Sequence, residues 1–457
     1  MKKFLSLLLV VMILIGSTTG AAHATSSNIV QYSNLYTYDM MAKQLQQLQK
    51  TYPDAIHLES IGKTAYQRDI WAVRVGHGTK SIFINGSHHA REWITSILNM
   101  KMIETYAQSY TNTTKYNGYQ TKELLDQVSI WFVPMVNPDG VTLQQFGSSA
   151  FPQQDRAQLI QMNDGSLNFT RWKANAQGID LNRQYDADWS NIKNNSGRPY
   201  WWNYKGPKPV YANETKAIVQ FTYRIQPEIA VSYHSSGEIL FWNFHTDPAH
   251  LGRDKRLAST YSQLTGYRLV QPSPNPSGGG YTDWFISTFK KPGFTPEVGN
   301  AVSNQHVPVK YFGGIWNQNN KAGVWLAEEA YKLTYSQFNT SHTVEVWDKV
   351  LLLKDEKSFY DIPNILKPAK GTIKQASIRT LAKKGDWYQV NTWLGKQWIY
   401  EANAEFEQPA PQQEPESKPE KPSEEPSVET NEPISTEGNT ETEKHEPREP
   451  ELQPTVE

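Results

Sequence analysis

The sequence predicts an α/β fold. A mostly buried sheet flanked by helices is expected over 34–333, a small all-β barrel over 342–406, and a disordered acidic, proline-rich tail over 407–457. Three observations carry this. Apolar runs of strand length alternate with stretches of helical periodicity through 34–333. Beyond 342 the pattern shortens to β-rich runs broken by glycine turns. From Glu407 onward there are ten prolines and no aromatic residue, too little apolar surface to offset chain entropy.

At the start, Met1-Lys2-Lys3 is basic, residues 4–15 are apolar except for Ser6, and Ala22-His23-Ala24 fits a small-residue cleavage signal. This is the pattern of a secretory leader over 1–24, cut after Ala24. The apolar run falls short of the roughly 20 residues a membrane span needs. The chain has no cysteine, which leans toward export from a bacterium, to the extracellular space or the cell wall. It also restricts any metal site to His, Asp and Glu. Fifteen Glu against four Lys or Arg give 407–457 a charge of −11, so a chain of net charge −1 carries +10 elsewhere. A basic body suits an anionic surface such as a bacterial wall, and serves equally as ordinary solubility charge.

Within 34–333 the elements follow in order. Residues 40–50 have helical spacing ended by Tyr52-Pro53, and 70–75 and 81–85 read as strands. Residues 93–110 form a helix with Ile94, Ile97, Leu98 and Met102 on one face. An apolar strand over 128–136 ends at Asn137-Pro138-Asp139-Gly140, a turn signal. A helix over 214–223 precedes strands over 228–233 and 239–244. In 342–406, β runs at 344–346, 377–381, 387–390 and 397–400 are separated by turns at Lys384-Gly385-Asp386 and Leu394-Gly395-Lys396.

The chemistry begins at Gly86-Ser87-His88-His89-Ala90-Arg91-Glu92-Trp93, between an apolar strand and a helix. His89 and Glu92 are three apart and share a face on a helical turn, so together they can bind one metal ion. His88 is the alternative ligand, but its i+3 partner is the cation Arg91. A third ligand is offered by His234, at the end of the apolar strand Ile229-Ala230-Val231-Ser232-Tyr233, and strand ends are where α/β sites assemble. Glu297, in Gly293-Phe294-Thr295-Pro296-Glu297, is a lone carboxylate in an apolar strand and a candidate general base. Asn182 and Arg183, in Asp180-Leu181-Asn182-Arg183, offer an amide and a guanidinium suited to a substrate carboxylate.

These motifs, in order H-x-x-E, N-P-D-G, D-L-N-R, strand-His, G-G-x-x-D-W and F-T-x-E, resemble the zinc carboxypeptidase family typified by pancreatic carboxypeptidase A, including its bacterial γ-D-glutamyl-diaminopimelate peptidases. The resemblance implies a mixed eight-stranded sheet, one zinc ion per chain on His89, Glu92 and His234, Glu297 as base, and Asn182 and Arg183 holding the terminal carboxylate. It also places Lys173 where relatives use an arginine to polarise the scissile carbonyl, with Arg171 as the alternative. The family's mobile tyrosine is missing from Pro274-Asn275-Pro276-Ser277; Tyr281 lies nearby. Thr282 stands at the specificity-pocket floor and is neither acidic nor large and apolar. Tyr360-Asp361-Ile362-Pro363, Gly385-Asp386-Trp387-Tyr388 and Trp398-Ile399 resemble the bacterial Src-homology-3-like wall-binding module. The expectation is a secreted metallocarboxypeptidase acting on peptidoglycan stem peptides, wall-bound through that module. Neither a nucleic-acid partner nor a membrane span after leader removal is expected. A scavenging carboxypeptidase of broad specificity and a non-catalytic wall-binding protein are the alternatives.

Overall fold

A computed structural model describes residues 28–408; the expected leader, and the acidic tail beyond residue 408, lie outside them. The first strands are β1 (Ile56–Lys63), β2 (Asp69–Val75) and β3 (Lys80–Gly86), then a small hairpin of β4 (Lys115–Tyr116) and β5 (Tyr119–Gln120). They are followed by β6 (Val128–Val133), β7 (Ile229–Tyr233), β8 (Ile239–Phe241), β9 (Arg268–Leu269) and β10 (Gly293–Glu297). Eight of these make one mixed sheet in the order β1-β2-β6-β3-β7-β10-β8-β9. Its centre is parallel, with β3 between β6 and β7, and β7 beside β10.

The central strands are buried on both faces, which is why they read as continuous apolar runs. Ile82 and Ile84 of β3 face one core with α1 (Tyr38–Thr51), α2 (Ile94–Thr111), α3 (Thr121–Gln127), α7 (Pro248–Thr265), α9 (Phe312–Asn319) and α10 (Ala322–Ser341). Phe83 faces the other, packed with α6 (Asn213–Ile225) and α8 (Tyr281–Phe289). The helices α4 (Pro138–Phe146) and α5 (Gln153–Met162) bound a third cluster around Trp172.

Three expectations change here. Asn137-Pro138-Asp139-Gly140 is the start of α4 and not a free turn. The Asn137 side chain accepts from Gly140 N at 2.9 Å, and Pro138 supplies the fixed φ that suits a first helical position. Gly140 is required because a Cβ there would lie 2.4 Å from Asn137 Oδ1 and 2.5 Å from Ala174 O. The strands expected over 128–136 and 239–244 stop at Val133 and Phe241. Helices α3, α5 and α7 to α10 go beyond the elements the sequence predicts, and α10 runs past 333 to Ser341.

The β-rich region holds β11 (Glu345–Val346), β12 (Val350–Leu353), β13 (Lys357–Tyr360), β14 (Gly371–Ile373), β15 (Ala376–Lys384), β16 (Trp387–Thr392), β17 (Gly395–Tyr400) and β18 (Glu405–Phe406). Neighbours run antiparallel in the order β14-β13-β17-β16-β15-β12-β18. Leu351 and Leu353 of β12 meet Phe359 of β13 in one core, so the sheet curls on itself. Among the described residues its end strands β14 and β18 are not paired with each other, so the barrel is open. The region seats on α3 and α10. Ser358 and Tyr360 donate to Glu123, Lys122 pairs with Asp355, and Lys384 Nζ donates to Asn339 Oδ1 at 2.7 Å.

Glu214, at the start of α6, is fully buried, and its carboxylate has the Asn175 amide as its side-chain donor. Burial pushes its pKa up to about 7. A carboxyl raised in the fold favours the fold below its unfolded pKa of about 4.3 and loses that contribution as pH rises through the folded value. Glu214→Gln, which keeps an acceptor for Asn175, is therefore expected to gain stability over wild type between about pH 4.5 and 7, by about 4 kcal/mol in full. Denaturant melts of both proteins across that window check this; a constant difference contradicts it.

Candidate active site

The three central parallel strands end side by side, and the site sits on those ends. β3 leads to His89, β7 to His234, and β10 finishes at Glu297. The chain leaves β3 for β6 on one side and reaches β7 on the other, and such a reversal opens a crevice at the strand ends. Ser87 turns the chain out of β3 with positive φ. Its amide donates to Thr95 Oγ1 at 2.8 Å, and its hydroxyl lies 2.8 Å from Ser96 Oγ, which ties the loop to the start of α2. Ala90–Glu92 is a single 3-10 turn, which brings residues three apart into near eclipse. His234 is pinned by His234 N to Pro296 O at 3.0 Å and Val298 N to His234 O at 2.8 Å, so it stands beside Glu297.

His89, Glu92 and His234 are all buried, and their donor atoms converge. His89 Nδ1 lies 2.9 Å from Glu92 Oε1, His234 Nδ1 lies 2.8 Å from Glu92 Oε2, and the two Nδ1 atoms are 3.1 Å apart. His89 Nε2 is 3.0 Å from Asp180 Oδ1. That carboxylate accepts a hydrogen bond from Nε2–H, which keeps the proton on Nε2 and leaves Nδ1 as a bare lone pair aimed at its partners. Two imidazole nitrogens and a carboxylate directed at one point are the donor set of a zinc site with a position open for water and substrate. The residues fit the metal.

Asp180 organises the wall of the site. It also receives Lys173 Nζ at 2.9 Å and the amides of Asn182 and Asn203. Burial works to raise its pKa, but Lys173 and His89 outweigh it and hold the carboxyl well below the usual carboxylate range. Its role was not assigned from sequence. No local pattern links it to His89, 91 positions away.

A cavity of about 790 Å³ brings together His89, Glu92, Lys173, Asn182, Arg183 and Glu297, and it also reaches Thr282. Asn182 Oδ1 accepts from Tyr281 N at 3.0 Å, which leaves its NH₂ group as a donor. Arg183 Nη1 donates to Asn182 O at 2.8 Å, while its Nε is buried with no partner among the described residues. Glu297 forms no ion pair among the described residues. Burial and the neighbouring Glu92 carboxylate raise its pKa, against the pull of Lys173, Arg91 and Arg183. Thr282 Oγ1 lies 2.6 Å from Thr295 Oγ1, a hydroxyl pair that lines the same cavity. Arg91, expected only to repel metal, also lines it, held by Arg171 O and Asn304.

The open alternatives separate. Arg171 stacks 4.3 Å over Trp201 and pairs with Asp164 at 2.7 Å, outside the cavity, so Lys173 is the cation at that wall. His88 faces away from the donor atoms, with Nε2 2.7 Å from Tyr185 Oη. Tyr281 is wholly buried among Phe83, Tyr185 and Phe285 and cannot stand in for a loop tyrosine.

The sequence profile described as "Zinc carboxypeptidase" matches residues 41–321. A gamma-D-glutamyl-L-diamino acid endopeptidase 1 from Lysinibacillus sphaericus is 33% identical over 295 residues, covering 64% of this chain and 72% of the relative. An uncharacterized protein of Bacillus subtilis (strain 168) is 27% identical over 296 residues, covering 64% and 77%. The solved structure of bovine thrombin-activatable fibrinolysis inhibitor in complex with tick carboxypeptidase inhibitor has a TM-score of 0.53 at 18% identity, over 67% of this chain and all of that one, a likeness of fold.

Metal analysis of purified variants tests the donor set. His234→Ala is expected to fall well below one zinc per chain under conditions that saturate wild type, and Glu297→Gln to keep one. A His234→Ala protein that still holds stoichiometric zinc contradicts the assignment.

Proposed function

We propose, from the premise that this chain belongs to the zinc carboxypeptidase family, that it cleaves the bond beside a free carboxylate in stem peptides of the bacterial wall, at a γ-D-glutamyl-diamino acid linkage. The chain is a zinc peptidase by that membership. The observation that carries the finer reading is Arg183, a guanidinium with a buried, unpartnered Nε, in the same cavity as the metal donors and an uncommitted Glu297. Such a group binds a carboxylate through two parallel hydrogen bonds.

Zinc held by His89, Glu92 and His234 supplies Lewis acidity, which polarises a carbonyl and acidifies water. The chain's own residues do the rest. Asn182 and Arg183 fix the substrate carboxylate and set the scissile bond over the strand ends. Glu297 takes a proton from the attacking water and delivers it to the leaving amine, a role suited to a carboxyl whose pKa is raised by burial. Lys173, held in place by Asp180, meets the negative charge that grows on the carbonyl oxygen. As an ammonium it keeps the charge of an arginine but loses the paired donors.

Support for a wall substrate comes from the name of the 33% identical relative, from the basic body, and from the hydroxyl floor of Thr282 and Thr295, which offers neither an acid for a basic side chain nor an apolar slot for an aromatic one. That floor also suits the second reading, a broad-specificity carboxypeptidase on extracellular peptides. Secretion through the leader and attachment through the β-rich region are part of the proposal. In that region Trp393 stands 71% exposed at the β16–β17 tip, a surface for wall polymer. A non-catalytic role is set aside, since every metal donor and the base are in place.

Arg183→Met is expected to lower kcat/KM at least about tenfold, since hydrogen bonds to charged groups contribute about 1.5–3 kcal/mol each. Amidating the substrate's terminal carboxylate should cost wild type a similar factor, and the two losses should not multiply, because either one breaks the same contact. Glu297→Gln should lose roughly 10²–10⁴-fold in turnover. Equal rates on free and amidated substrates would overturn the carboxylate anchor.

A further inference from the structure

We infer that Ser232 and His88 are positioning residues for the zinc ligand His234, a neutral relay that does for this histidine what the Asp180 carboxylate does for His89. This rests on the chain's being a zinc peptidase and not on the substrate proposed above.

The two ligand histidines are supported differently. His89 donates its Nε2–H to an anion at 3.0 Å. His234 must also carry its proton on Nε2, because its Nδ1 faces Glu92 and His89 Nδ1 and has to be a lone pair to bind metal. That Nε2–H points into the protein, where an unmet donor costs free energy. The side-chain acceptor recorded for it is Ser232 Oγ, at 3.4 Å. Ser232 precedes His234 by two on the β7 side and so presents its hydroxyl to the same face.

The direction of donation then follows along the chain. With Ser232 Oγ accepting from His234, its own proton must go elsewhere, and His88 Nδ1 lies 3.3 Å away. His88 Nδ1 therefore accepts, which puts its proton on Nε2, and Nε2 lies 2.7 Å from Tyr185 Oη. Ser232, His88 and Tyr185 are all buried, with His88 and Tyr185 against the ring of Tyr281, so each of these polar atoms is answerable to the next. His88 also lies stacked near His234, ring centroids 5.7 Å apart and planes 23° apart, which limits rotation of the ligand ring. The relay fixes both the proton position and the ring plane of His234. It also leaves the site one negative charge poorer than two carboxylate-backed histidines would, at a place already holding Glu92 and Asp180.

The test is zinc affinity of the full chain, measured by competition with a chromogenic chelator, together with the visible spectrum of the cobalt-substituted protein. Ser232→Ala and His88→Phe should each bind zinc about 10–100-fold more weakly, the usual range for loss of an outer partner of a metal ligand. The double variant should be no weaker than the worse single variant, because both break one path. His88→Asn places Oδ1 where Nδ1 stood, keeps the acceptor for Ser232, and should recover most of the affinity and the wild-type cobalt spectrum. Thermal unfolding of the metal-free proteins separates misfolding from a local effect; if His88→Phe does not fold, Ser232→Ala and His88→Asn decide. Affinities within twofold of wild type for Ser232→Ala and the folded His88 variants, losses that multiply, or His88→Asn as weak as His88→Phe would overturn the relay.

Discussion

Two imidazole lone pairs and a carboxylate meet with separations of 2.8 to 3.1 Å in a buried pocket. Alone, such donors have nothing to share but a proton, and Asp180 has already drawn the His89 proton to the far side of its ring. A divalent cation satisfies all three at once. The rest of the fold can be understood as the support this convergence requires. Parallel β3, β7 and β10 deliver the two ligand segments and Glu297 to one edge, and the 3-10 turn after β3 folds Glu92 back onto His89. Helices on both faces keep the strands dry, so the donors' electrostatics are not diluted by water.

Around that centre the cavity wall sets three cations against the carboxyls of Glu92, Asp283 and Glu297. Lys173, Arg91 and Arg183 line it with Glu297, and Arg183 keeps a donor in reserve. Lys173 is neutralised in part by Asp180, whereas among the described residues Arg183 is bonded only to the backbone oxygen of Asn182. Arg91 and Arg183 thus both bring positive charge to the cavity without a carboxylate ion pair among the described residues. In the proposed function Arg183 takes the substrate carboxylate, which would tie this charge to cleavage beside a free carboxylate.

How much of this was legible in the sequence depended on distance along the chain. The H-x-x-E turn, the strand-ending His234 and the lone Glu297 could be read because each signal is contained in a few residues with a strand beside it. The buried sheet follows from the same apolar runs, while its mixed, eight-stranded form is implied only by the family resemblance. Asp180 was quoted only as part of a motif, since its bond to His89 joins two loops that no periodicity connects. Lys173 and Arg171 differ by two positions and were inseparable until side-chain direction was known. The stack of Arg171 on Trp201 removes it from the cavity. Asn137-Pro138-Asp139-Gly140 read as a turn because the same residues cap helices, and only the following packing distinguishes the two uses. Helix α7 buries a narrow stripe of Asp254, Leu257, Ala258, Tyr261 and Thr265, two of them polar, so its amphipathic signal is faint. The open edge of the β-rich sheet is a matter of strand pairing that short runs do not encode.

The account turns on which side chains hold the metal, and zinc X-ray absorption of the full-length enzyme reads this directly. It predicts two imidazoles at about 2.0–2.1 Å, carboxylate oxygen at about 2.0–2.2 Å, and a shell completed by a light atom. A third imidazole would place His88 in the shell, and a single one would remove His89 or His234; either result would contradict the site described.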